Sequence, residues 1–205
     1  PFLGGGSVAI YITKTYPNLK IIAGELFFPL FNFWKQLQTN GSKMEVELYK
    51  IKNNCGVKDS LTDTQVVREK RWNKTSELFY YCKNIIEKNI GNNFEKAIAY
   101  FIVNRVSFSG LTVSSSVSKS NTDTHFTYNS IFKLSVFQKL IKHWNIYNYS
   151  YEKLISNKKE VFIYLDPPYE IEKKKYKSST SLNVYGKSGD ILENFSHDTF
   201  AKNLI

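Results

Sequence analysis

A chain of 205 residues is long enough for one well-cored domain, or for a core domain carrying an insertion. Its 16% aromatic content excludes wholesale disorder, and no apolar run approaches the length of a membrane-spanning helix, so no membrane partner is expected. The formal charge of +10 favours a polyanion partner, while Cys55 and Cys82, without CxxC or His/Cys spacing, fit no common zinc or dithiol motif.

In chain order, Pro1-Phe2-Leu3-Gly4-Gly5-Gly6-Ser7 is a glycine-rich turn. A helix is expected over 7–13, with Ser7 as its cap and Val8, Ala9, Ile10 and Ile12 as its apolar surface. Tyr16-Pro17-Asn18 breaks it, and Lys20-Ile21-Ile22-Ala23-Gly24 reads as a short strand ending at Glu25. The next helix, Leu30 to Leu37, packs Leu30, Phe33, Trp34 and Leu37 on one side and is expected to stop at Asn40-Gly41. Helical segments follow around 43–52, 62–71, 75–90 and 94–106, without strand alternation, so this stretch reads as a mainly helical insertion. Ser107 to Tyr128 is polar and serine-rich and reads as a long loop or hairpin. Helix periodicity returns from Ile131 to Trp144. Short strands near 145–149 and 161–165 then bracket a small helix around 151–156, and a lysine/serine loop leads to a terminal helix starting near 198. This order predicts a parallel sheet with helices on both faces.

The basic residues cluster at Arg68, Lys70, Arg71 and Lys74, and again at Lys173, Lys174, Lys175 and Lys177. Both runs are expected on solvated loops or helix faces, the second beginning close beyond Tyr169. His125, His143 and His197 are scattered and form no ligand set, and no acid dyad, metal cluster or Ser/His/Asp grouping points to hydrolase chemistry.

Two loops carry the chemistry. Asp166-Pro167-Pro168-Tyr169 directly follows the apolar run Val161-Phe162-Ile163-Tyr164-Leu165, so a buried strand is expected to end in a rigid turn. Asp166 can accept one hydrogen from an exocyclic amine and the Pro167 carbonyl another, while neither proline offers a competing amide donor. Tyr169 can stack on a flat base, which must leave its helix to reach such a pocket. At the other loop, Gly4 and Gly6 allow close approach or positive φ, and Gly5 adds freedom. No Gly-Lys-Ser/Thr follows, so this is not a Walker loop. Glu25, at a strand end about twenty residues on, can accept from both hydroxyls of a ribose. Together the loops suggest an enzyme that brings a nucleotide-like cofactor to a nucleobase.

These residues resemble the DNA adenine-N6 methyltransferases of the Dam-like, D12 class. Pro1 to Ser7 is similar to that family's S-adenosylmethionine loop, Asp166 to Tyr169 matches its catalytic tetrapeptide, and Phe101-Ile102-Val103-Asn104-Arg105-Val106-Ser107-Phe108-Ser109-Gly110 resembles its lead into a DNA-recognition hairpin. Leu30, Asn32, Phe33 and Trp34 match the helix after the second strand. The resemblance implies an α/β, Rossmann-like methyltransferase core over 1–42 and 129–205, with a mainly helical target-recognition insertion over 43–128. It further implies methyl transfer from S-adenosylmethionine to N6 of a flipped adenine in double-stranded DNA. Phe2, Gly4, Gly6, Glu25 and Ser150 would then lie at the cofactor, and Asp166, Pro167, Pro168 and Tyr169 at the adenine. Arg105, Lys119, His125, Lys133, Lys173 and Lys174 would be the DNA contacts, with Ser107–Tyr128 as the major-groove probe.

The chain departs from the family pattern in three places. Phe27 stands where the family carries an amide, and Ser150-Tyr151 where it carries an acidic-aromatic pair. Pro1 lies past the usual N-terminal element, so a fragment is expected. These departures point toward weak cofactor binding or dependence on a companion protein chain. N4-cytosine methylation and a non-catalytic DNA-binding subunit stay open as alternatives, with Asp166 in place of a serine favouring adenine. A restriction endonuclease sharing the target site would be a separate protein.

Overall fold

The computed structural model describes residues 1–56, 63–108, 115–155, 160–167 and 195–204. The chain divides into two compact units, one of residues 1–31 with 143–205 and one of residues 32–142.

In the first unit, helix α1 (Ser7–Thr15) starts from Gly6, whose left-handed conformation, φ 71°, is the cap. Ser7 was expected to cap through its hydroxyl, but the cap residue is Gly6 and no side chain bonds the first turn. Strand β1 (Ile22–Gly24) pairs in parallel with β2 (Asn145–Tyr147), in the register Ile22–Asn145, Ala23–Ile146 and Gly24–Tyr147. Trp144, just before β2, donates from its indole nitrogen to the Thr13 hydroxyl at 2.8 Å, tying α1 to the sheet. A 3-10 turn (Tyr151–Lys153) follows β2, and α7 (His197–Lys202) buries Phe200.

The run 161–165 was expected to be a buried strand. It forms none, and Val161, Phe162 and Tyr164 are 50%, 83% and 43% exposed. A strand needs a neighbour for its backbone N–H and C=O groups. Among the described residues the sheet has two strands, and neither takes 161–165 as a partner.

The second unit is helical. Helix α2 (Phe28–Cys55) runs through Asn40-Gly41 instead of stopping there, with a kink at Asn40. Gln138, on α6 (Tyr128–Leu140), fills the break. Its Oε1 accepts from the Ser42 N–H at 2.8 Å and the Ser42 hydroxyl at 2.9 Å, and its Nε2 donates to the Thr39 carbonyl at 3.0 Å. Backbone groups released by the kink thus find a side-chain partner. Gly41 is buried because α6 approaches closely; a Cβ there would lie 2.7 Å from Gln138 Cβ and 2.9 Å from the Leu134 carbonyl oxygen.

The expected helices over 62–71 and 75–90 form one, α3 (Gln65–Glu87), capped by the Thr64 hydroxyl. Helix α4 (Asn93–Val106) begins with a reciprocal cap between Asn92 and Glu95 and buries nearly its whole circumference from Ala97 to Val103. It packs against α3 and against the short α5 (Lys119–Thr124). Within 107–128, expected as a loop or hairpin, Ser107 and Val117 form an antiparallel bridge and α5 follows. The unit's core holds Met44 and Leu48 of α2, Phe79 of α3, Ile102, Val103 and Val106 of α4, Phe126, and Ile131 of α6, each fully buried.

Arg71 was read as part of a solvated basic run, yet its side chain is 3% exposed. It donates to both carboxylate oxygens of Asp63 and to Asp123, which together neutralise it and raise its pKa further. Beside it, Lys52 is buried over the Phe126 ring, donates to the Thr122 carbonyl at 3.4 Å and has its ammonium pKa pushed down by burial. Cys55 and Cys82 are free thiols in the same core.

Candidate cofactor and base sites

The glycine-rich turn lies against the end of β1. Leu3 donates its N–H to the Gly24 carbonyl at 2.7 Å, and Gly6 donates back to Leu3 at 2.9 Å. Gly4 and Gly6 take positive φ, 50° and 71°, which an L side chain adopts only with strain. A Cβ on Gly4 or Gly5 would meet nothing within 4 Å, so the space beside the turn is open. Gly24 differs, since a Cβ there would run into the Leu154 side chain and lie 2.9 Å from the Pro1 carbonyl.

Glu25 follows directly. Its Oε2 accepts the Gly4 N–H at 3.0 Å and its Oε1 accepts the Phe27 N–H at 2.9 Å. Its own N–H goes to the Tyr147 carbonyl at 3.0 Å, and Asn148 Nδ2 donates to the Glu25 and Leu26 carbonyls at 2.8 and 3.0 Å. Burial raises the pKa of the Glu25 carboxyl, opposed by the backbone donors. Each carboxylate oxygen keeps lone-pair capacity for a further donor. A diol such as a ribose therefore has acceptors here, beside an open glycine turn.

Phe2 is half-buried and stacks on Tyr151, with ring centroids 5.8 Å apart at 27°. Phe195 and Phe200 close on Phe2 edge-on at 5.9 and 5.8 Å, and Asn203 Nδ2 donates to the Tyr151 hydroxyl at 3.0 Å. Ser150 precedes the 3-10 turn, and the exposed Glu152 in its first turn has its carboxyl held below the usual range, chiefly by the Ser150 side chain. Glu152, Asn148 and the Phe2–Tyr151 stack were not singled out from sequence. Glu152 had a signal, an acid one residue beyond the aromatic of the matched pair.

Of Asp166-Pro167-Pro168-Tyr169, Asp166 is exposed and Pro167 half-buried. Pro168 and Tyr169 lie outside the described residues, as do Lys173 and Lys174. In the helical unit, Lys119 opens α5, His125 closes it, and Lys133 lies on α6, all exposed. His125 Nδ1 lies 2.7 Å from the Thr124 hydroxyl. Arg105 is more enclosed: its guanidinium sits 5.4 Å from the Phe101 ring centroid, and its Nε is buried with no hydrogen-bond partner among the described residues. Burial lowers its pKa. The structure therefore gathers Phe2, Gly4, Gly6, Glu25 and Ser150 in one unit, and Arg105, Lys119, His125 and Lys133 in the other. Among the described residues, no three His, Cys, Asp or Glu side chains group as a metal site, and no helix is long and apolar enough to cross a membrane.

No curated protein matches the chain significantly. A family model does, along residues 1–203, nearly end to end. Glycine turn, strand-end carboxylate and Asp-Pro-Pro-Tyr thus fall within a single continuous match, and the chain belongs to the D12 class N6 adenine-specific DNA methyltransferases.

Proposed function

We propose that the turn of Phe2, Gly4 and Gly6, with Glu25 and Ser150, binds the methyl donor, and that Asp166 to Tyr169 receives the adenine. Enzymes of this family methylate adenine N6 in DNA and use S-adenosylmethionine, which supplies a methyl group activated by its sulfonium. The observation that carries the donor assignment is the Glu25 carboxylate joined to the Gly4 amide beside open space. Glu25 accepts from the ribose hydroxyls, Gly4 and Gly5 leave room for close approach, and the Phe2 ring borders the donor.

Adenine N6 is a poor nucleophile because its lone pair is delocalised into the ring. Asp166 and the Pro167 carbonyl each accept one amine hydrogen, which drives the nitrogen toward tetrahedral geometry and frees its lone pair for the methyl carbon. Positive charge growing on N6 during methyl transfer would be stabilised by these two acceptors. The surplus proton leaves N6 by way of Asp166. Tyr169 stacks on the extruded base.

The core carrying these loops, 1–42 with 129–205, is in this reading a Rossmann-like sheet, supported by the parallel β1–β2 pair. Residues 43–128 supply target recognition, and Ser107–Tyr128 the groove probe, supported by exposed Lys119 and His125 on either side of α5. Arg105, Lys133, Lys173 and Lys174 add further DNA contacts. Phe27 in place of the family's amide leaves donor binding by this chain either weak or dependent on a companion chain. Equilibrium titration of S-adenosylmethionine tests the division of labour: Glu25→Ala should weaken binding at least tenfold and Asp166→Ala should leave it unchanged. Equal losses in both variants would refute it.

A further inference from the structure

The Glu25 carboxylate is engaged by the protein's own backbone. Its two oxygens take two backbone N–H groups from different segments, Gly4 in the glycine turn at 3.0 Å and Phe27 in the turn after β1 at 2.9 Å. The residue is itself anchored, by its N–H on Tyr147 and its carbonyl on Asn148. We propose that Glu25 is a positioning residue as well as a ligand contact: it clasps the glycine turn to the end of β1 and holds the Gly4 amide in its cofactor-ready place in the free protein. This rests on the donor site proposed above and adds a role that acts in the absence of donor.

Three features single out this residue for that role. Gly4 holds φ at 50° with no atom within 4 Å of where a Cβ would be, so no side-chain packing on that side fixes the turn. Among the described residues, the turn's backbone bond to β1 runs from Leu3 to Gly24, one residue earlier. A charge-assisted bond to the next amide is about twice as strong as a neutral one and sets the direction in which the turn leaves the strand. Length matters as well as charge. Aspartate keeps the carboxylate and can still reach the N–H two residues on, a local geometry it favours, but one methylene less withdraws it from Gly4.

The test uses the complete chain without donor or DNA. In Glu25→Asp, amide-proton exchange at Gly4 should rise at least tenfold relative to wild type, while Phe27 and the amides of β1 keep their protection. Unchanged Gly4 protection in Glu25→Asp would overturn the clasp. Should that variant not fold, wild-type spectra decide: the Gly4 and Phe27 amide shifts should follow one carboxyl titration with a shared midpoint, and a Gly4 shift flat across it would overturn the proposal. Because neither readout involves methyl transfer, a negative result leaves the methyltransferase reading intact. Loss of donor affinity in Glu25→Asp with unchanged Gly4 protection would show a ligand contact alone.

Discussion

Arg71 meets Asp63 as a two-pronged pair, Nη1 and Nη2 donating to the two carboxylate oxygens at 2.9 and 2.7 Å, with both side chains at most 7% exposed. Asp123 takes the remaining Nε at 3.0 Å, so one guanidinium joins α3 to the residue before its cap and to α5. Removing the cation leaves two carboxylates without their counter-charge. Arg71→Ala should lower stability by about 3–5 kcal/mol, and Arg71→Lys should recover little, because an ammonium cannot reproduce the fork. Urea unfolding checks this, and a loss below about 1 kcal/mol in Arg71→Ala would contradict it.

The kink in α2 depends on a side chain from α6. Gly41→Ala would force a Cβ to within 2.7 Å of Gln138 Cβ and 2.9 Å of a backbone oxygen, and should destabilise by about 1–3 kcal/mol through overpacking. Gln138→Ala should cost about 1 kcal/mol, by leaving the Ser42 N–H and the Thr39 carbonyl without their side-chain partner. Both are readable as midpoint shifts in denaturant. An unchanged midpoint in Gly41→Ala would mean that the two helices separate freely.

These two contacts explain which parts of the fold were legible in the sequence. The glycine turn, Glu25 and α4 carry their signals locally, in a run of glycines, a strand-end acid and a broad apolar helix face. Asn40-Gly41 is locally a stop signal, and only Gln138, far along the chain, turns it into a kink. Arg71 looks like one more exposed cation until Asp63 and Asp123 are beside it. The run 161–165 has the composition of a buried strand, but strand formation requires a neighbour that composition does not supply. In the candidate site, the Phe2–Tyr151 stack escaped notice because it joins residues distant in sequence.

The two cysteines should be silent in the folded protein. Burial pushes the Cys82 thiol up to about 12 and raises Cys55 as well, so neither forms much of the reactive thiolate near pH 8. Disulfide-exchange reagents should label neither under native conditions and both after unfolding, with labelling following the unfolding midpoint. Rapid native labelling of Cys82 would contradict this burial.

Tyr169 is assigned a stacking role, so the ring should matter and the hydroxyl much less. Base–aromatic stacking is worth about 1–3 kcal/mol, or roughly five- to 150-fold. Tyr169→Ala should lower kcat/KM by about that factor, and Tyr169→Phe by no more than about threefold. Steady-state methylation of an adenine-containing duplex checks it; equal losses in the two variants would assign the hydroxyl instead.

The central claim is that this chain methylates adenine N6 by means of Asp166. Labelled S-adenosylmethionine and unmethylated double-stranded DNA, incubated with wild type and Asp166→Ala side by side and digested to nucleosides, test it directly. The account predicts N6-methyladenine from wild type, and at least a hundredfold less from the variant, on the scale of losing one preorganised electrostatic contact. N4-methylcytosine, or equal N6-methyladenine from both proteins, would contradict it.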